Sequence, residues 1–425
     1  MQELGFILVA LAILGYGLIS GRVQNSIVTP PMAFVLFGLL IGPKMFGLVG
    51  FDLESGWIHL LAELTLILVL FTDAARIDLR LLRREHDLPV RMLLLGLPLT
   101  LVLGTFVAVL LFEDLGLWEA AALAAILAPT DAALGQAVVS SPRVPVRIRQ
   151  ALNVESGLND GIVLPLVLIL LSLADAAEQS QGAPFWVRFA LLQVTLGPAV
   201  GIGVGYLGGK LVELGSRSGW MNHTFQRLSV LGLALLSFGL AELVGGNGFI
   251  AAFCAGLALG NASQVSSCLY EFGEAEGQLL TLLIFMILGV VMVPIALDHL
   301  SLTVVLYALA SLTVVRMIPV VASVAGAGLR PATKLFLAWF GPRGIASILF
   351  ALLVLERMEI AGREEILVVV VTTVSLSVFL HGASAYPLSE WYAGRVASGE
   401  AVMAEHRAVS EMPVRLPFPS RSGEG

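Results

Sequence analysis

The sequence predicts an all-α, polytopic membrane protein with thirteen transmembrane helices. Three observations lead there. Hydrophobic residues make up 57% of the chain and charged residues 13%, against roughly 25% charge in a soluble domain, and the mean hydropathy is +0.92. Apolar runs recur from residue 4 to residue 388, too many for the core of one water-soluble domain, and long apolar helices are what a bilayer admits. Lysine and arginine also alternate in density from one connection to the next.

A span needs about 20 predominantly apolar residues. On that template the first four segments centre near Ala12, Phe37, Leu66 and Leu101. The fifth runs from about Trp118 to Val139 and the sixth from about Ala151 to Leu173. The rest centre near Gly201, Leu235, Ala255, Ile287, Ala310, Ile345 and Ser375. Glu3 precedes the first segment and no basic stretch does, so it reads as a retained span and not a cleaved leader. The seventh holds Gly201, Gly203, Gly205, Gly208 and Gly209, which allow close helix approach.

With the N-terminus outside, eighteen of the 24 lysines and arginines fall on the inner side. Only Lys44, Arg188, Arg357 and Arg363 fall outside, while Arg316 and Arg343 lie within spans. The positive-inside rule then sets the N-terminus out and the C-terminus in, at the plasma (inner) membrane. Residues 1–388 form the transmembrane domain. Residues 389–425 end in PVRLPFPSRSGEG and read as a short disordered cytoplasmic tail.

Several function classes drop out. There is no basic cluster with interleaved aromatics for nucleic acid. Cys254 and Cys268 fit neither a zinc site nor a disulfide scaffold, the six histidines make no metal set, and no cofactor is implied. His86, in a basic loop, reads as a solvated residue.

The stretch NVESGLNDG, Asn153 to Gly161, places Glu155 and Asp160 inside the sixth span. A carboxylate at the bilayer centre costs roughly 2.5–3.5 kcal/mol on insertion scales, so function is the default reading. Ser156 and Asp160 are four apart and share a face; Glu155 and Asn159 form a second such pair. Glu155 and Asp160 are five apart, roughly 140° around the helix. Asp160 is therefore assigned to a cavity and Glu155 to the protein interior, where it needs a buried cation. Arg316, in TVVRMIPVV, is the leading partner; the alternative has it snorkelling to the inner surface. Asp73, at the inner end of the third span, either lines an inner funnel, contributes a ligand or is simply solvated.

Two spans are interrupted. The fifth carries Pro129, Thr130 and Asp131 in ILAPTDAALG, and the twelfth carries Gly341, Pro342, Arg343 and Gly344 in WFGPRGIAS. Proline removes a backbone donor and glycine tolerates unwound geometry. The two segments lie seven spans apart and so run in opposite directions, as in the inverted repeats of secondary transporters with crossed discontinuous helices. Asp131 then balances exposed helix N-termini and Arg343 exposed C-termini.

Together ESGLND, PTDA, GPRG and an arginine in R-x-x-P resemble the monovalent cation:proton antiporter family 1, the sodium/proton exchangers. The resemblance covers about residues 1–390. It implies a thirteen-span fold with a mobile core around spans 4–6 and 11–13, a dimerisation part from the remaining spans, and a homodimer. It makes Asp160 the proton- and cation-binding carboxylate and Asn159 its neighbour, with Ser156, Asp131 and the Thr130 backbone lining the site. It makes Glu155 and Arg316 a structural ion pair, and Asp73 the nearest match to a family acid in the third span. The implied partners are Na+, or Li+ or K+, together with H+ and the lipid bilayer. The implied activity is alternating-access exchange, serving sodium transport and pH homeostasis. The pair Asn159–Asp160, in place of two aspartates, favours electroneutral one-for-one exchange. Ala132 stands where family members often carry proline.

A potassium-preferring exchanger of the same fold is the near alternative. An intramembrane aspartyl protease needs two carboxylates sharing one proton, and the asparagine beside Asp160 argues against it. A channel would need a repeated filter motif, which the sequence lacks.

Overall fold

The computed structural model describes residues 2–23, 26–51, 55–84, 87–131, 134–178, 183–262, 266–357, 360–397, 404–407 and 409. Among them the regular structure is helical throughout. Nine described helices are long and apolar enough to cross a membrane by length and composition. Four shorter apolar helices lie at Pro30–Ile41, Leu117–Ile126, Gly248–Ala262 and Ile345–Leu355. Leu117–Ile126 and Ile345–Leu355 are short because each adjoins one of the two interruptions read from proline and glycine. His86, Ala132 and the side chain of Cys268 lie outside the described residues.

Polarity is distributed inside out. Phe6, Leu18, Val102 and Leu207 are exposed on the outer faces, whereas the largest fully buried side chain among the described residues is Arg343. Outward-facing apolar side chains suit lipid, and buried charge must be met by protein groups.

Small residues bring three helices into direct backbone contact. A Cβ at Gly201 or Gly205 would collide with the carbonyls of Ala251 and Ala255; one at Gly256 or Gly260 would collide with those of Phe71 and Ala75. Helix Gly248–Ala262 is thereby wedged between Ala183–Arg217 and Gly56–Ala75, a small-xxx-small arrangement on both of its faces. Gly203, on the other side of its helix, faces open space.

The last long helix runs past residue 388. Helix Arg363–Ala397 passes through Pro387 and continues to Ala397, because Ser389, Tyr392 and Val396 are buried. Tyr392 stacks on Phe336 with ring centroids 4.2 Å apart. Ala404–His406 forms a further turn. Residues 410–425 lie outside the described residues.

Buried Glu405 holds that turn in place. Its carboxylate accepts the Arg330 N–H at 2.8 Å and the Thr333 hydroxyl at 2.9 Å, and Arg147 donates to the Ala404 carbonyl. The short segment thus ties the start of helix Pro331–Trp339 to the start of helix Val146–Glu178.

Burial pushes the Glu405 carboxyl upward, but hydrogen bonds from the Arg330 and Glu405 amides and from Thr333, with the Arg330 charge, leave it below the usual glutamate range. A depressed folded-state value stabilises the protein above the unfolded pKa, about 4.3, and that stabilisation is lost as pH falls through the folded value. Glu405→Gln is therefore expected to cost about 1–2 kcal/mol at neutral pH. The deficit should close as pH falls below about 4.3, measured by thermal unfolding in detergent from neutral to acidic pH. A pH-independent difference would show that the charge contributes nothing.

Candidate functional site

The site forms where the two interruptions meet. Helix Leu117–Ile126 ends before Pro129, and residues 129–131 lie outside any helix. Helix Pro331–Trp339 ends before Phe340, and helix Ile345–Arg357 begins only after Gly344. The Asp131 amide donates to the Pro342 carbonyl at 2.8 Å, linking one break directly to the other.

Each break supplies what the other lacks. The Ile345 N–H, at a helix start, donates to Asp131 Oδ2 at 2.9 Å. Asp131 thus does the work of a capping side chain from another segment. Gly344 stands where a cap residue normally sits, and a Cβ there would collide with the Asp131 carboxylate. In the other direction, buried Arg343 donates through Nη1 to the carbonyls of Ala128 at 2.7 Å and Pro129 at 3.3 Å. Ser347 Oγ donates to the Ile126 carbonyl at 2.7 Å. Carbonyls left over at a helix end are met by a cation and a hydroxyl.

A second set of contacts joins this junction to helix Val146–Glu178. Thr130 Oγ1 lies 2.9 Å from Ser156 Oγ, and Asn159 Nδ2 donates to Thr130 Oγ1 at 2.7 Å. Thr130, Ser156, Asn159 and Asp160 are all buried, with Thr130 and Asn159 at 1% exposure. Asn159 Oδ1 has no hydrogen-bond partner among the described residues. Two hydroxyls and the Asn159 amide are therefore joined, with Asp160 next along the same helix, and oxygens of these kinds are the donors that a hard cation takes.

Glu155 points elsewhere. Arg316 Nη1 and Nη2 donate to Glu155 Oε1 and Oε2 at 2.5 and 2.7 Å, a two-pronged ion pair with both side chains 4% exposed. A Cβ at Gly341 would strike the Arg316 guanidinium, so the pair is packed against the second break. Asp73 sits in the last turn of helix Gly56–Ala75. Its carboxylate is 3.7 Å from Arg76, while a side chain at Gly157 would come within 3.8 Å of its backbone carbonyl.

Comparison with known proteins adds the family. The family model described as "Sodium/hydrogen exchanger, transmembrane" matches residues 7–391. The chain belongs to this family. It is an integral membrane protein of the exchanger fold: the structure of the sodium proton antiporter MjNhaP1 from Methanocaldococcus jannaschii at pH 8 superposes with a TM-score of 0.75. That match has 22% identity over 93% of this chain and 99% of the other. The K(+)/H(+) antiporter NhaP of Alkalimonas amylolytica is 27% identical over 343 residues, 79% of this chain and 57% of that protein. A probable Na(+)/H(+) antiporter of Schizosaccharomyces pombe is 26% identical over 265 residues, 60% of this chain and 35% of that protein. The chain thus spans well under two thirds of the length of these two relatives.

Two residues packed against this candidate site, Ser377 and His381, are not read from the sequence alone. Ser377 Oγ accepts the Arg343 N–H at 2.7 Å, and His381 Nε2 lies 3.1 Å from the Trp339 carbonyl. The available signal is a serine and a histidine four apart in the apolar run SVFLH, polar residues that a membrane helix carries only when something meets them.

The ion pair gives a direct test. Glu155→Gln and Arg316→Ala are each expected to destabilise the detergent-solubilised protein by about 3–5 kcal/mol, because each strands a buried partner. The double variant should lose less than the sum, measured as a thermal-unfolding double-mutant cycle. Strict additivity would mean that the pair carries no coupling.

Proposed function

We propose that this chain is a secondary-active antiporter, a transporter and not an enzyme, exchanging a monovalent cation for H+ across the membrane. The observation that carries the reading is the cluster of Thr130, Ser156 and Asn159 beside Asp160, set against the junction of two broken helices. Family membership and the names of the relatives support it.

The coupling follows from competition. A buried carboxylate is unstable when charged and alone. Asp160 is neutralised either by a proton or by a cation that also takes oxygens from Asn159, Thr130 and Ser156. If only the neutralised site crosses between the two faces, each transit carries one or the other, and the exchange is one-for-one and electroneutral. Asp131 is the counter-charge of helix Ile345–Arg357 and shapes the site through Thr130. Asp73 stands on the approach to Gly157.

We assign thirteen spans in inverted repeats, with the fifth and twelfth crossing at the Asp131–Pro342 contact. The N-terminus lies outside and the C-terminus in the cytoplasm, at the plasma (inner) membrane. A mobile core holds spans 4–6 and 11–13, and the other spans form the dimerisation surface of a homodimer. Na+ is the assigned ion. K+ is the second reading, favoured by relatives named K(+)/H(+) antiporters in Alkalimonas and Shewanella.

In proteoliposomes under an imposed pH gradient, Asp160→Asn is expected to abolish cation-driven proton flux while the purified protein keeps its thermal stability. Undiminished flux would overturn the assignment of Asp160. Running the wild type with Na+, Li+ and K+ in turn identifies the ion: flux with K+ alone would replace sodium by potassium.

A further inference from the structure

Ser377 and His381 lie one turn apart on helix Arg363–Ala397, and both are buried, at 0% and 1% exposure. His381 Nε2 faces the carbonyl of Trp339, the last residue of helix Pro331–Trp339, at 3.1 Å. A carbonyl only accepts, so Nε2 carries the proton. Nδ1 lies 3.1 Å from Ser377 Oγ and 3.2 Å from the Ser377 carbonyl. In the neutral ring, Nδ1 accepts the Ser377 hydroxyl proton, and Ser377 Oγ in turn accepts the Arg343 N–H. The Trp339 ring packs on the imidazole, centroids 5.0 Å apart, and its indole N–H donates to Ser384 Oγ at 2.9 Å.

These contacts grip both ends of the second break. His381 holds the last helical carbonyl before it, and Ser377 holds an amide three residues after Phe340. Three links from this break to the first hang between or just beyond those two points. They are the Pro342 carbonyl on the Asp131 amide, the Arg343 guanidinium on Ala128 and Pro129, and the Ile345 N–H on Asp131. Asp131 adjoins Thr130, the hydroxyl shared by Ser156 and Asn159.

We infer that His381 and Ser377 are positioning residues for cation binding: they set the register of the Phe340–Gly344 break against the Pro129–Asp131 break, and so place Thr130 among the cation-binding oxygens. Neither touches the ion. The inference rests on the reading of Thr130, Ser156, Asn159 and Asp160 as the cation site.

The test is cation-driven proton flux in proteoliposomes, with the sodium concentration varied for the wild type, Ser377→Ala, His381→Ala and His381→Gln. Potassium replaces sodium if the wild type prefers it. His381→Ala should raise the half-saturating cation concentration about tenfold and change the maximal rate far less, since a small misplacement of ligands weakens binding. His381→Gln keeps an N–H within reach of Trp339 and should restore affinity to within about threefold of wild type. A merely structural histidine would lower the yield or the melting temperature and leave the half-saturating concentration of the folded fraction unchanged, which would overturn the inference. If His381→Ala does not fold, Ser377→Ala carries the test in the same direction, and wild-type affinity there sinks it. Flux that survives in Asp160→Asn is a separate failure, of the site assignment itself. Unchanged affinity in the clamp variants beside an inactive Asp160→Asn removes only the positioning role.

Discussion

Two interrupted helices can lie inside this protein only because each closes the other's open backbone. Asp131 answers the amide at the start of Ile345–Arg357, and Arg343 answers the carbonyls of Ala128 and Pro129. Within an apolar bundle an unmet backbone group costs several kcal/mol, so the junction is a condition for the fold as well as the scaffold of its site. Gly344 belongs to that condition, since any side chain there would displace the Asp131 carboxylate.

The other buried charges are arranged around this junction. Glu155 and Arg316 neutralise each other beneath Gly341, on a different side of their helix from Asp160. Asp160 is buried on the same helix as Ser156 and Asn159, which meet at Thr130; in the proposed exchange a proton or a cation is its counter-charge. One helix thus carries a buried ion pair and the carboxylate proposed for exchange, about 140° of rotation apart.

Much of this is legible in residue order. Pro129 and the Gly341–Pro342 pair announce breaks because proline lacks an amide and glycine accepts unwound backbone. The five-residue spacing of Glu155 and Asp160 separates their directions because helical rotation is fixed. The reach of helix Arg363–Ala397 is less legible: it runs on through Pro387 because Tyr392 and Val396 find cover against neighbouring helices, which no local pattern reveals. His381 is hidden for a similar reason. Its meaning lies in the Trp339 carbonyl it meets, 42 residues away in the chain.

By itself, then, the sequence determined the class of fold, the places where helices break and the faces on which the acidic residues sit, all set by hydropathy, proline chemistry and helical geometry. Only the tertiary structure decided partners: Arg316 for Glu155, the Ile345 amide for Asp131, Thr130 between Ser156 and Asn159, and Ser377 with His381 around the second break. Those pairings join residues far apart in the chain, and their geometry depends on how whole helices pack, which single-residue chemistry does not specify.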